Sequence, residues 1–205
     1  MSYIKWIRSK VGRRKIFLPF ASVILHDSQS SAQPTFAPPF AEEITYDQIQ
    51  DIRPIIGPAV YQGVGSGAVV VNQERHLLLA QRTDNSYWHF PGGYMHIGEN
   101  AAHAVVRELK EETGLEITPE RILGVHSPKK PWFYPNGDQV QGLMTFFLSR
   151  LDDSAAENHI HPDQVETMRA VWVPPEQVMT YNTHPRMKVI HQAILEHLDG
   201  GCFIF

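Results

Sequence analysis

Gly93-Tyr94-Met95-His96-Ile97-Gly98-Glu99-Asn100-Ala101-Ala102-His103-Ala104-Val105-Val106-Arg107-Glu108-Leu109-Lys110-Glu111-Glu112-Thr113-Gly114-Leu115 is the stretch on which the reading of this chain turns. It opens as a loop, continues as a short helix and stops. Gly92, Gly93 and Gly98 permit backbone angles closed to other residues. Asn100 is placed to cap a helix, and Gly114 to end it in the left-handed conformation. Between them Ala101, Ala104, Val105, Val106 and Leu109 recur at helical spacing. The other face gathers Glu108, Glu111 and Glu112, whose spacing of three and four residues puts the carboxylates within ~6 Å of axial rise. Like charges so placed destabilise a helix by a few tenths of a kcal/mol per pair. A hard divalent cation offsets that, and Mg²⁺ combines few carboxylates with waters and phosphate oxygens. For three glutamates taken alone, a solvated acidic helix face is the plainer alternative.

The whole string decides between the two. Gly-x5-Glu-x7-Arg-Glu-Leu-x-Glu-Glu-x-Gly-Leu resembles the signature of the Nudix hydrolases at every specified position. Pro91-Gly92-Gly93 just before it, and Leu78-Leu79-Ala80-Gln81-Arg82 further upstream, are also similar to that family. The resemblance covers about residues 65–173.

Composition sets bounds on the remainder. The chain has 205 residues, enough for one domain with an extension or for two small ones, and 42% hydrophobic content allows a sizeable core. The net charge of −4 is unevenly spread: residues 1–26 carry six basic residues and no acid, so the remainder stands at −10. An acidic body suits cation binding, and a basic arm is compatible with phosphates, RNA or an anionic surface, or is simply a solvated helix face. Cys202 is the single cysteine, which fits a reducing, cytoplasmic setting. No apolar run reaches the ~18 residues of a membrane span. Six basic residues followed by Ile16–Leu25 imitate a targeting leader, but Pro19 splits that run, and a structural reading is preferred.

Along the chain, residues 3–12 are expected as an amphipathic helix, 16–25 as a strand and 28–39 as a Pro- and Ser-rich linker. Ile7-Arg8-Ser9-Lys10-Val11-Gly12 recurs weakly as Ile52-Arg53-Pro54-Ile55-Ile56-Gly57, 45 residues on. One copy is expected to serve as an added strand or a homodimer contact, within an extension over residues 1–60 ahead of a domain over 61–205. Strands are expected at 68–71 and 76–82 as a hairpin, then at 121–127, 139–150 and 170–173. Gly63-Val64-Gly65-Ser66-Gly67 precedes a strand instead of following one, so it is not read as a dinucleotide loop. Tyr134 to Asp138 is a turn, Pro174 opens a helical turn, and a last helix turns Met187, Ile190, Ile194 and Leu198 inward. The apolar tail Cys202–Phe205 is expected to dock on the body or on a second subunit. Strands flanked by helices on both sides give an α/β/α sandwich, and the resemblance implies the same fold with a mixed sheet.

The resemblance also implies roles. Glu108, Glu111 and Glu112 bind divalent cations, Mg²⁺ with Mn²⁺ as a substitute, and the carbonyl of Gly92 or Gly93 is a further ligand. Glu108, Glu112 and Glu166 are the catalytic candidates, with Asp163 as runner-up for the base, and Arg107 pairs with Glu99 or a neighbour to orient the glutamates. Arg82 is expected to hold phosphate, and Tyr87, Trp88, Phe133 and Tyr134 to stack a nucleobase. Gly93 and Gly114 shape the backbone of the motif. His159, His161 and Asp163 fall short of the usual four ligands of a closed transition-metal site. The implied activity is metal-assisted hydrolysis of a nucleoside diphosphate linked to another group. The alternatives are a hydrolase of (oxidised) nucleoside triphosphates and a ligand-sensing module.

Overall fold

The computed structural model describes Ser9 and residues 47–134 and 136–205. The helix expected at 3–12 (except Ser9, which is helical), the strand at 16–25 and the linker at 28–39 lie outside the described residues.

Helix α1 spans Gln48–Ile56; the Asp47 side chain caps it by accepting from the Ile49 N–H at 2.9 Å. Strands follow as β1 (Tyr61–Val71), β2 (Leu77–Arg82), β3 (Trp88–His89) and β4 (Gly92–Tyr94), then helix α2 (Ala101–Thr113). After α2 come β5 (Ile117–His126), β6 (Trp132–Phe133), β7 (Gln139–Leu151), β8 (Thr167–Val173), helix α3 (Lys188–Glu196) and β9 (Phe203–Ile204). Short 3₁₀ helices lie at Ser154–Asn158 and Pro175–Thr180. Among the described residues the strands form one mixed sheet, in the order β3-β2-β1-β7-β5-β9. The β1–β7 and β5–β9 pairs are parallel and the remainder antiparallel.

The layers follow from the two-residue alternation of side chains along a strand. Val69, Leu77, Leu79 and Phe146 point to the face covered by Ile190 and Ile194 of α3. Their chain neighbours Ala68, Val70, Leu78 and Phe147 point to the face covered by Val105 and Leu109 of α2. The result is an α/β/α sandwich. The C-terminal tail docks on the body: Phe203 is buried against Phe146, and β9 extends the sheet alongside β5.

β1 is longer than its sequence suggested. It begins at Tyr61, seven residues before the expected start, so Gly63, Gly65 and Gly67 are strand residues and not a preceding loop. They alternate, so all three lie on the α3 face. A Cβ on Gly63 would fall 2.7 Å from the Tyr94 ring, one on Gly65 2.6 Å from Met144 Sδ, and one on Gly67 2.7 Å from the Phe146 ring. The glycines hollow the sheet there, and neighbouring side chains lie across it.

α1 is tied to the body by charge. Arg53 grips Asp138 with its Nε at 2.9 and 3.0 Å from the two carboxylate oxygens and an Nη at 2.6 Å. Asp138 is buried and also accepts from Asn136, so the pair anchors the turn that starts at Tyr134. Arg53→Ala leaves a buried carboxylate without its main partner and is expected to cost about 1–2 kcal/mol, the exposure of Arg53 moderating the loss. Arg53→Lys, a point charge in place of a fork, should restore only part of it. Urea unfolding of the full chain measures both.

Candidate active site

α2 is built as its sequence demands. Asn100 accepts from the His103 N–H at 2.9 Å, and Gly114, at φ 76°, closes the helix with its N–H on the Lys110 carbonyl. Arg107 joins this helix to the loop before it. Its Nε donates to Glu99 at 2.6 Å, one Nη to Glu99 and to the Tyr94 carbonyl at 3.0 Å each, and the other to Glu108 at 3.0 Å and Glu111 at 2.9 Å. Glu99 in turn accepts from the His96 N–H at 2.8 Å. Burial alone would raise the Glu99 carboxyl, but the Arg107 and His96 donors outweigh it and hold Glu99 below its usual range.

The three helix glutamates differ sharply in surroundings. Glu111 is 59% exposed and lies against Arg107. Glu108 is largely buried; its carboxyl backs onto Gly93, where a Cβ would stand 2.5 Å from the carboxyl carbon. Glu112 is 3% exposed. The Gly92 N–H bonds one of its oxygens, while Oε2 is buried with no partner among the described residues. Burial pushes Glu108 up to about 7, with Arg107 opposing. Burial, then Glu108 and Glu166, push Glu112 up to about 8.

Glu166 arrives from the far end of the chain. The loop before β8 docks on the end of α2 through the His161 N–H to the Thr113 carbonyl at 2.8 Å and the Asp163 N–H to the Glu112 carbonyl at 3.2 Å. Asp163 is committed to this loop: its side chain accepts from the N–H groups of Val165, Glu166 and Thr167 at 2.8 to 3.2 Å. Thr83 clamps the other side, its N–H on the Glu166 carbonyl at 2.9 Å and its hydroxyl on that of Val165 at 2.5 Å. Arg82 precedes Thr83. It forks onto Asp84 at 2.8 and 3.0 Å and lies 6.0 Å from the Tyr134 ring centroid.

Two cavities meet at this place. An acidic one of about 490 Å³ is lined by Glu108, Glu111, Glu166, Asp84 and Asp138 among others. An aromatic one of about 510 Å³ has Gly67, Met144 and Phe146 on its floor and Trp88, Phe90 and Trp132 on its walls. They share Arg82, Gly92, Gly93, Tyr94 and Tyr134, and the two tyrosine hydroxyls stand 3.4 Å apart. Tyr87, Trp88 and Tyr134 thus line the aromatic cavity, whereas Phe133 is 67% exposed and does not. Trp132, His184 and Arg186 were missed in the sequence, since they come from separate loops and share no spacing.

The donor set fits a divalent cation. Glu108 and Glu112 are hard oxygen ligands held where burial opposes their charge, and the orphaned Oε2 of Glu112 has a bond to give. As the side chains stand, no three carboxylate, His or Cys groups among the described residues converge on one point. Arg107 accounts for part of that, holding Glu111 at 2.9 Å. Among the described residues no helix is long and apolar enough to cross a membrane.

Comparisons with known proteins bear on the family and the fold. The family model described as the NUDIX domain matches residues 62–197. A MutT-like protein of Streptomyces ambofaciens is 36% identical over 139 residues, covering 67% of this chain and 78% of that one. The NAD-capped RNA hydrolase NudC of Vibrio vulnificus is 35% identical over 106 residues, but the match spans only 36% of its length and 51% of this chain. Among solved structures, an ADP-ribose pyrophosphatase from Streptococcus suis superposes with a TM-score of 0.52 at 19% identity, covering 69% of this chain and 96% of that one. Signature, fold and family match coincide on the same residues, and the chain belongs to the Nudix family.

Proposed function

We propose that this chain is a divalent-metal-dependent pyrophosphohydrolase that cleaves a nucleoside diphosphate linked to a second moiety, with Mg²⁺ as the working ion and Mn²⁺ as a substitute. The observation that carries this reading is the pair of cavities joined at Gly92–Tyr94. A ligand spanning both has its diphosphate beside Glu108 and room for a group on either side; Glu112, buried behind Gly92, reaches it only through a bound ion. Relatives named for such chemistry include the putative ADP-ribose pyrophosphatase YjhB of Bacillus subtilis, 39% identical over 114 residues.

When bound, divalent cations neutralise phosphoryl oxygens and lower the pKa of water. The protein supplies the remainder. Glu108 and Glu112 hold the ions, and Arg107 fixes the helix face against the loop at 94–99. Arg82, at the shared wall, orients the phosphates. Glu166, exposed at the mouth of the acidic cavity, takes the proton from the attacking water. Water adds across one P–O–P linkage: its oxygen bonds to one phosphorus, the bridging oxygen leaves with the other, and the products are a nucleoside monophosphate and a phosphorylated second moiety. The N-terminal segment, with its repeat of the Ile-Arg opening, is proposed to join two copies, and residues 1–60 to be an extension of the hydrolase domain.

A nucleotide panel in Mg²⁺, with products identified, tests the reaction. Diphosphate-linked substrates should give monophosphate products, and Glu112→Gln should lower kcat about 10²- to 10³-fold while nucleotide binding persists. Cleavage confined to triphosphates would replace this reading with the sanitising one. Nucleotide binding with no cleavage of any member would replace it with the sensing one.

The metal has a pH signature. A carboxyl raised in the fold opposes folding when ionised, so the metal-free protein should gain stability as pH falls from about 8.5 to about 7 through the values of Glu112 and Glu108. Mg²⁺ should stabilise most at the upper end of that window and flatten the trend. Below about 6.5 the trend levels off: burial keeps His89 at about 3 and His191 at about 4, so the two protons these histidines take up on unfolding offset the two that Glu108 and Glu112 release. Melting curves with and without Mg²⁺ from pH 6 to 8.5 check this. Size measurement before and after removal of residues 1–45 checks the dimer; an unchanged mass removes it.

A further inference from the structure

Among the described residues, Arg186 is a cation with no acidic partner. It stands in the turn before α3 and lines the aromatic cavity, beyond the wall that cavity shares with the acidic one. Its guanidinium donates to the carbonyls of Lys130 at 2.6 Å and Pro131 at 3.0 Å, and lies 4.7 Å from the centroid of the Trp132 ring. His184 packs on the same indole at 4.6 Å and edge-on to Tyr87 at 5.1 Å. These contacts fix the fork in place yet leave N–H groups unused, since a guanidinium has five. Among the described residues no carboxylate pairs with Arg186, Lys129 or Lys130.

Charge is segregated across the shared wall. Among the described residues the aromatic cavity is lined by Arg82, Lys129, Lys130 and Arg186 and by no Asp or Glu, and of these four Arg82 alone has an acid partner, Asp84. The acidic cavity holds Asp47, Asp84, Glu108, Glu111, Asp138 and Glu166. The field of Arg186 reaches its neighbours. His126 and His184 are held below the ordinary histidine value, by burial first and also by that charge. A fixed, uncompensated guanidinium in a concave apolar site is the arrangement that selects a phosphate.

We infer that the aromatic cavity takes a nucleotide carrying a ribose phosphate in addition to its scissile diphosphate, and that Arg186, with Lys129 and Lys130 at the rim, holds that extra phosphate. The inference rests on the proposed hydrolase reading only for the position of the diphosphate, beside Glu108. With that end placed, Trp88 and Trp132 line the cavity for the nucleoside, and Arg186 lines the same cavity without bordering the acidic one. Two sources present the same chemistry: a 3′-phosphomonoester on a mononucleotide, and the first internucleotide linkage of an oligoribonucleotide.

Calorimetric binding to the full chain at 0.15 M salt, without metal, tests this using adenosine 3′,5′-bisphosphate against AMP. The bisphosphate should bind at least about tenfold tighter. Arg186→Gln should bring the two affinities within about twofold, while Arg186→Lys keeps part of the preference. The double variant Lys129→Gln/Lys130→Gln should flatten its salt dependence, and serves also if Arg186→Gln does not fold. Equal affinities for the unmodified chain, or a preference that survives Arg186→Gln, overturns the inference. So does a double variant with unchanged preference and salt slope should Arg186→Gln not fold. A 5′-phosphorylated diadenylate separates the sources: binding as tight as the bisphosphate assigns the internucleotide phosphate, and binding no tighter than AMP assigns the monoester. Because no cleavage is read, an inactive chain that keeps the preference refutes the proposed reaction and not this site.

Discussion

Two glutamates, one turn apart on α2, are held where water cannot stabilise their charge. Everything near them follows from that. Burial raises both carboxyls; Arg107 bonds Glu108 and Glu111 but not Glu112, on which Arg82 acts without a hydrogen bond among the described residues. Arg107 is itself consumed by Glu99 and by the Tyr94 carbonyl. The site is therefore short of positive charge by design of its geometry, and the shortage sits beside Gly92 and Gly93, where backbone approaches closest. Such a deficit is costly in a resting protein and useful in one that recruits cations with a polyphosphate.

The sheet supports this arrangement by leaving things out. Alternate glycines on β1 remove three side chains from one face while the opposite face stays packed against α2. Gly93 removes a fourth, behind Glu108. Cavity and α2 thus lie back to back on one strand, with Ser66 bonding the Ala101 carbonyl at 2.7 Å between them.

Much of this could be read along the chain where signals are local. Asn100 and Gly114 fix the ends of α2 because capping depends on a few neighbouring atoms. The continuous apolar runs at 77–80 and 146–147 fit strands buried on both faces of the sheet. The start of β1 was misread because glycine ordinarily weakens a strand. Here the parallel partner β7 supplies a full ladder from Tyr61 to Val71 and overrides that preference. Asp163 and Glu166 look alike as acids in one loop; only the folded loop shows one spent on three backbone N–H groups and the other facing α2. Trp132, His184 and Arg186 have no spacing to betray them, since β6 and the turn before α3 meet only in three dimensions.

Thr83 has a consequence of its own. Its main chain and hydroxyl both hold the segment 165–166, and the residue before it is Arg82. Arg82 and the loop carrying Glu166 are thereby tied to each other through Thr83. Lengthening the short link at residues 84–86 would disturb Arg82 through its fork onto Asp84, and that loop with it, whereas changes in the segment 128–132 would act on the cavity wall formed by Lys129, Lys130 and Trp132.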